Sequence, residues 1–588
     1  MSNEKWLLKN RKADLKAMSQ KYGISQLLCK LIVNREINDE NLINSYINPV
    51  TENLHSPYSM KDINTAVNII KTKINEGKKI RIIGDYDVDG IISVYILYTA
   101  LRQCGANVDY EIPDRIKDGY GINKNIVKAA YDEGIDTVIT CDNGISAIEQ
   151  IEYAKELGLT VIVTDHHDIP FIEEDGIRTF ISSKADAIIN PKQIECEYKF
   201  KSICGAGVAF KLMEALYKEL GMNKEQCYEL IEFVAIATVC DVVDLIDENR
   251  IFVKNGLIML NNTKNMGIRA LKKVAGLEDK EITAYHLGFV IGPCLNASGR
   301  LDSAKKGLEL LLTEDEESAN KLAEEIVDLN DARKNMTKEG VDKAIEIIEG
   351  TEINNDNILV VYIPDIHESL AGIVAGRIKE RYNKPTIILT KSEEGVKGSG
   401  RSIEEYNMFE GLLSCKDLLD KFGGHPMAAG LSLQEDKIDE LRKALNNNCE
   451  LTDDDLTRKI MIDASLPLEY LNLNLIEELN VLEPFGKGNA KPVFGVRDAR
   501  VIKATLLGKD KNVLKLRLLT NNNITIDAMI FNDVEGFEEK IIAKYGEEEL
   551  QDLYNKSNNN IYLDFTFYPS INEWNGNKNI QIIVSGIR

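Results

Sequence analysis

Several absences narrow the reading of these 588 residues before any motif is considered. No run of about eighteen apolar residues occurs, so no membrane-spanning helix is expected. The opening Met1-Ser2-Asn3-Glu4-Lys5-Trp6 lacks the apolar stretch of a secretory signal, and a cytoplasmic protein is expected. The ten cysteines include no C-x-x-C pair, and the nearest couple, Cys196 and Cys204, lacks zinc-knuckle spacing. Reduced thiols follow as the expectation. Positive charge is short as well: 71 Lys and Arg stand against 94 Asp and Glu, a net charge of −23. Alone, that disfavours nucleic-acid binding, which needs Lys and Arg against phosphate, although a basic patch can sit on an acidic protein. No internal repeat is present.

What is there describes a soluble globular chain, 44% hydrophobic and 28% charged, long enough for about three or four domains. Residues 1 to 75 read as helical. From 79 onward, short β-branched runs alternate with helical periods: strands at 79–84, 136–140, 160–164 and 187–191, helices at 91–103 and 145–157. That alternation predicts βαβ units and a largely parallel sheet. A buried helix is expected over 226–239, and a long helical connector over 303–349, which is almost free of breakers. A second α/β unit begins near Asn357. Beyond it Leu514, Leu516 and Leu518 alternate with polar residues, as do Ile561, Leu563, Phe565 and Phe567, and Asn575-Gly576 marks a hairpin turn. These features predict a small β-barrel of OB type, a common single-strand-binding module.

Three acidic signatures sit where strands should end: Asp85-Tyr86-Asp87-Val88-Asp89-Gly90, Asp142-Asn143-Gly144 and Asp165-His166-His167. Ligands of open parallel sheets bind beyond the carboxyl ends of the strands, so the three are expected to share one site. Two carboxylates about 4 Å apart repel by about 4 kcal/mol at an effective dielectric of about 20. Several together need a counter-charge, and a pair of divalent metal ions supplies it. A two-metal phosphoesterase is the expectation.

These motifs resemble those of the DHH phosphoesterases. The stretches His367-Glu368-Ser369-Leu370-Ala371-Gly372, Gly398-Ser399-Gly400-Arg401-Ser402 and Phe422-Gly423-Gly424-His425-Pro426 resemble the DHH-associated domain. Asn296-Ala297-Ser298-Gly299-Arg300 and Pro484-Phe485-Gly486-Lys487-Gly488-Asn489 are similar to the RecJ branch. The resemblance implies an α/β, two-lobed fold: an N-terminal helical region (1–75), a catalytic domain (76–302), a connector (303–350), a smaller α/β substrate domain (351–452) and an OB-type barrel (453–588). It implies a single-strand-specific 5′ to 3′ DNA exonuclease that releases 5′-monophosphates and serves DNA repair and recombination. Its expected partners are single-stranded DNA, a RecQ-type helicase and a single-strand-binding protein, with the chain itself monomeric. The alternative readings are an oligoribonucleotide or cyclic-dinucleotide phosphodiesterase on the same two lobes, and a non-catalytic replication scaffold.

Carried residue by residue, the resemblance makes Asp87, Asp89, Asp142, His166 and Asp241 the metal ligands. Hard oxygen donors with one imidazole suit Mn²⁺, the first expectation, or Mg²⁺. His167 is expected at the scissile phosphate, with Asp85 and Asp165 orienting the ligands. Arg300, Ser399 and Arg401 match a grip for a terminal 5′-phosphate, Tyr120 a base-stacking position, and Asn296 and His425 line the substrate side. Departures from the family pattern are Ile83 where many relatives have histidine, Cys294 where arginine is usual, Asp244 for proline and Ile366 for tryptophan. Ile83 implies fewer protein ligands at one metal unless Asp85 moves in. Cys294 implies a less basic DNA path. His55 and His286 are expected to be structural.

Overall fold

The strand Thr137–Cys141 is buried at all five positions, the mark of a strand covered on both faces, and it lies at the centre of a five-stranded parallel sheet. The sheet runs Asn107–Glu111, Lys79–Ile83, Thr137–Cys141, Thr160–Thr164, Ala187–Ile189. The molecule is seen in a computed structural model that describes residues 4–588 except 116, 120, 175–176, 393–394, 510, 532 and 575. The register sets Ile83 beside Thr140, and Cys141 beside Thr164, so the acidic signatures leave the sheet at one edge. The helices Val88–Gln103, Gly205–Glu219 and Ile231–Cys240 cover one face with an almost wholly apolar core. The buried helix expected over 226–239 is two, Lys224–Tyr228 and Ile231–Cys240.

The connector is a short helix, Lys305–Leu312, followed by one of 35 residues, Glu316–Gly350. Asp315 caps the long helix by accepting from the Ser318 amide at 2.8 Å. The second lobe carries a mixed sheet in the order Lys421–His425, Ala428–Leu433, Gly395–Arg401, Thr386–Ser392, Leu359–Tyr362. At the C-terminus five strands close into a barrel, Phe494–Leu507 pairing with both Val513–Leu519 and Ile561–Trp574. Leu514, Leu516 and Leu518 all point into its core, as their period of two requires. The α/β two-lobed fold with an OB-type barrel is the architecture observed.

The N-terminal region differs from its expectation. Lys5–Leu8 is a strand paired in parallel with Lys459–Ile462, and Leu28, Leu31 and Ile32 of the helix Gln26–Val33 share the barrel's core with Phe494 and Leu516. The helix Ile63–Asn75 packs instead on the catalytic core. The stretch 1–75 is therefore divided between two cores and is not one helical region. Phe171–Glu174 and Ile177–Phe180 form a hairpin that the sequence reading left without an element.

Candidate active site

Local sequence sets the three aspartate clusters in place. Asp87 is the N-cap of the helix Val88–Gln103, accepting from the Gly90 amide at 3.1 Å, so Asp89 falls in the first helical turn. Its carboxylate then takes the amides of Gly205 (2.6 Å) and Ala206 (2.8 Å) at the start of the helix Gly205–Glu219. Asp142 adopts a left-handed backbone, φ +59°, which turns the chain out of its strand. Asn143 braces this turn, donating to the carbonyls of Ile83 (3.1 Å) and Cys141 (2.9 Å). Asp241 follows the helix Ile231–Cys240 as its C-cap.

These groups converge. His166 Nε2 lies 3.1 Å from Asp142 Oδ1, 3.6 Å from Asp89 Oδ2 and 3.7 Å from Asp241 Oδ2. Three sets of donor atoms lie within 4.8 Å of one another: Asp142, His166 and His167; Asp89, His166 and Asp241; Asp85, Asp87 and Asp142. Asp85, expected as an outer partner, and His167, expected at the scissile phosphate, thus stand within reach of the same centre as the expected ligands. Ile83, where a histidine is usual, is a buried core residue, and Asp85 stands beside Asp87 and Asp142.

Electrostatics decide what this cluster is for. Burial, then Asp87, pushes the Asp85 carboxyl up to about 8 and that of Asp89 to about 6. Burial followed by Asp89 raises Asp241 to about 8, and Asp142 is driven well above the carboxylate range by burial and the surrounding acids. Burial and then His167 drop His166 to about 3, which leaves its imidazole neutral and able to ligate. Asp85 Oδ1 and His166 Nε2 are buried without a hydrogen-bond partner among the described residues. Converging oxygens, a neutral imidazole and orphaned buried atoms fit divalent cations. The residues of the cluster fit a divalent-metal site.

Asp165 has another task. Its Oδ1 accepts from the amides of His166 (2.7 Å) and His167 (3.1 Å) and pairs with His167 Nδ1 at 2.7 Å; Oδ2 accepts from the Ile145 amide at 2.9 Å. Burial is the largest single influence and opposes its charge, but the His167 bond and charge, the Ile145 amide and His166 together hold the carboxyl below its ordinary value. Burial likewise opposes a charged His167, yet Asp165 raises it to about 9. The pair fixes the direction of the His167 ring.

Arg300, in the helix Gly292–Leu301, donates from Nη1 to the Ser369 carbonyl of the second lobe at 2.8 Å. Burial, then Arg115 and Arg333, lowers it to about 10, and the nearby charge of Asp87 bears on it. Arg401 Nη1 donates to Ser399 Oγ (2.9 Å) and to the Gly400 carbonyl (2.7 Å). A Cβ on Gly372 would meet Arg401 Nη2 at 2.6 Å and Ser399 Oγ at 2.9 Å, so this glycine leaves them room. Asn296 accepts from the Val88 amide at 3.2 Å, beside the first motif. His425 is exposed at the end of its strand, near enough to affect Asp168. Tyr120 lies outside the described residues. Cys294 is buried under the Asn330 amide, Nδ2–Sγ 3.3 Å. His55 pairs with Asp247 at 3.0 Å and His286 closes a capping box with Thr283.

One residue of the site was not anticipated. A Cβ on Gly205 would meet Asp142 Oδ1 at 2.7 Å and Asp142 Cβ at 2.8 Å. Gly205 thus opens the space that Asp142 occupies and also offers its amide to Asp89.

Residues 79–238 match the family model of the DHH family N-terminal domain, 355–451 the DHHA1 domain and 462–586 the RecJ OB domain. The single-stranded-DNA-specific exonuclease RecJ of Bacillus subtilis is 35% identical over 588 residues, covering 99% of this chain and 70% of its own. That of Haemophilus influenzae is 33% identical over 559 residues, 90% of this chain and 91% of its own. The crystal structure of RecJ in complex with Mn²⁺ from Thermus thermophilus has a TM-score of 0.81 at 26% identity, covering 99% of this chain and 79% of that one.

Proposed function

This chain belongs to the RecJ family of DHH-type single-stranded-DNA-specific exonucleases, and we propose that it removes nucleotides one at a time from the 5′ end of the strand as 5′-monophosphates. It is a metal-dependent hydrolytic nuclease. One observation carries the polarity: in a chain of net charge −23, Arg300 and Arg401 make no ion pair with a carboxylate among the described residues. Half-buried guanidinium groups held by carbonyl and hydroxyl oxygens await an anion, and a terminal phosphate suits their planar donors. Arg300 also lies close enough to Asp87 to feel its charge, so a phosphate held there places the first internucleotide linkage toward the metal cluster.

Asp87, Asp89, Asp142, His166 and Asp241 would hold two divalent ions, with Asp85 and His167 within reach. When bound, such ions supply a nucleophilic water at neutral pH and offset charge developing on the phosphate oxygens. Asp165 holds His167 at Nδ1, so the other ring nitrogen is turned to the scissile phosphate. Arg300, from the catalytic lobe, and Ser399 with Arg401, from the second, fix the end of the strand. Work in DNA repair and recombination, as a cytoplasmic monomer fed by a RecQ-type helicase and a single-strand-binding protein, fits this activity.

The test uses one oligonucleotide with Mn²⁺, labelled at either end, as single strand, blunt duplex and dinucleotide. Mononucleotides from the 5′ end of the single strand, with the duplex spared, are expected. Release from the 3′ end would refute the polarity, and cleavage of the dinucleotide alone would move the chain to the small-substrate branch.

A further inference from the structure

Asp241 is aimed differently from its neighbours in the cluster. Asp89 is gripped by the amides of Gly205 and Ala206, and Asp87 by that of Gly90. The Asp241 carboxylate accepts no hydrogen bond among the described residues, and His166 Nε2, at 3.7 Å, is too far away to make one. Its side chain is also more open, 24% exposed against 1% for Asp89. Where its oxygens point is therefore decided by its backbone, at the end of the helix Ile231–Cys240.

The residue that follows is strained. Val242 takes a left-handed backbone, φ +56°, just past the helix C-cap, a position that glycine or asparagine usually fills. A β-branched residue seldom adopts it, and such a conformation persists only where the surroundings over-determine it. The Val242 side chain does not supply the hold, because the residue is 59% exposed. The hold comes through residues 243–245, from the segment that leads into the barrel. The Leu245 amide donates to the Lys487 carbonyl at 2.8 Å. Gly488, φ +70°, lies so close that a Cβ on it would meet Asp244 Cβ at 2.8 Å and Asp244 Cα at 3.2 Å, and one on Gly486 would meet Leu245 Cδ1 at 2.6 Å. Lys487 Nζ is 3.8 Å from Asp244, and its charge bears on Asp241 as well.

That segment is itself fixed from several sides. Buried Asn489 donates to the carbonyls of Leu482 (2.7 Å) and Pro484 (2.8 Å), and its Oδ1 accepts from Arg35 Nε and Tyr46 Oη, both at 2.7 Å. Arg250, buried in the helix Asp247–Leu260 of the catalytic lobe, donates to the carbonyls of Tyr46, Val481 and Leu482. Its guanidinium also lies 4.0 Å from the Tyr46 ring. N-terminal stretch, catalytic lobe and barrel entry thus meet in one buried polar knot. Resting on the metal-site reading above, we propose that residues 481–489 are a positioning clamp for Asp241. The barrel and the N-terminal stretch, docked through this clamp, hold the strained turn and so set how tightly the catalytic lobe binds its divalent ion. Asp241 alone touches the ion; Val242, Lys487 and Gly488 act through it.

The experiment measures Mn²⁺ binding by calorimetry, without DNA, in the full chain. Gly488→Ala should lower Mn²⁺ affinity by about tenfold or more, the loss usual when a group that orients a ligand is disturbed. Asp241→Asn keeps Asp89, Asp142 and His166 and should still bind, more weakly; adding Gly488→Ala to it should change nothing further, since the group being positioned is gone. Val242→Asn takes the left-handed turn with little strain, so it should keep wild-type affinity, melt at a higher temperature and restore most of the affinity lost in Gly488→Ala. Gly488 is exposed, so its variant is expected to fold, and circular dichroism checks this. Should it not fold, Gly486→Ala, which meets only the Leu245 side chain, is measured in the same two backgrounds with the same expected pattern. Unchanged affinity in the glycine variant overturns the clamp. So does an equal loss with and without Asp241, which would be general distortion of the lobe. A wild type that binds no Mn²⁺ would instead refute the metal-site reading itself, and the clamp with it.

Discussion

Arg300 Nη1 and the carbonyl oxygen of Ser369 are 2.8 Å apart, and that bond joins the catalytic lobe to the substrate lobe. The guanidinium is half-buried and makes no ion pair among the described residues, and Ser399 and Arg401 stand together in the second lobe. On the proposed reading, the grip on the strand's end draws on both lobes.

Replacing Arg300 should therefore act on the phosphate end before anything else. Hydrogen bonds to charged groups contribute about 1.5–3 kcal/mol, so Arg300→Ala is expected to lower kcat/KM on 5′-phosphorylated strands by about ten- to a hundredfold. Strands with a 5′-hydroxyl should lose much less. Arg300→Lys should recover little, because an ammonium cannot reach the Ser369 carbonyl and a phosphate in the same fork. Equal losses on both kinds of end would place Arg300 outside the grip.

Gly205→Ala is expected to damage the metal site from behind. The added methyl would press on Asp142 Oδ1 and Cβ at 2.7–2.8 Å, and Asp142 cannot retreat because it is buried in a turn braced by Asn143. Overpacking of this kind costs about 1–3 kcal/mol. Calorimetric titration should show Mn²⁺ affinity reduced by about tenfold or more, while the melting temperature of the metal-free protein falls by only a few degrees. Normal Mn²⁺ binding would mean that the carboxylate shifts without consequence.

Much of the site was legible because strand ends are legible. Asp85, Asp142 and Asp165 each follow a β-branched run, and parallel pairing brings such ends together whatever the rest of the chain does. Gly205 was not legible: nothing in its own segment reports the aspartate that packs on it from a strand more than sixty residues earlier. The union of Leu28 and Leu31 with Phe494 and Leu516 was equally hidden, since amphipathic periodicity says that a helix has a partner but not which one. The break between the helices Lys224–Tyr228 and Ile231–Cys240 carries no proline or glycine to mark it.

His55 gives a pH dependence remote from the metal cluster. Its hydrogen bond to Asp247, helped by Glu248 and opposed by burial, raises its pKa above the ordinary value of about 6.5. A histidine raised in the folded state stabilises fully below its unfolded pKa, and the contribution is lost as pH rises through the folded value. The stability difference between wild type and His55→Gln, measured by urea unfolding, should thus be larger at pH 6 than at pH 8.5, by about 0.5–1 kcal/mol. A difference that grows with pH would contradict the pairing.

Asp165→Asn tests whether orientation alone matters at the centre. The change preserves shape, but both carboxylate oxygens already accept: Oδ1 from the amides of His166 and His167 and from the His167 ring, Oδ2 from the Ile145 amide. Either placement of the new amide sets an N–H against an N–H. If the amide nitrogen replaces Oδ1, the His167 ring loses its acceptor and is free to rotate. If it replaces Oδ2, the Ile145 amide is left buried and unpaired, at about 1–3 kcal/mol. Loss of such an orienting partner typically costs about ten- to a hundredfold in metal affinity or activity. Turnover on single strands at saturating Mn²⁺ should fall by that factor, whereas Asp165→Glu, which keeps the charge but displaces it, should fall at least as far. Activity retained in Asp165→Asn would show that His167 needs no fixed direction, and its place at the scissile phosphate would have to be given up.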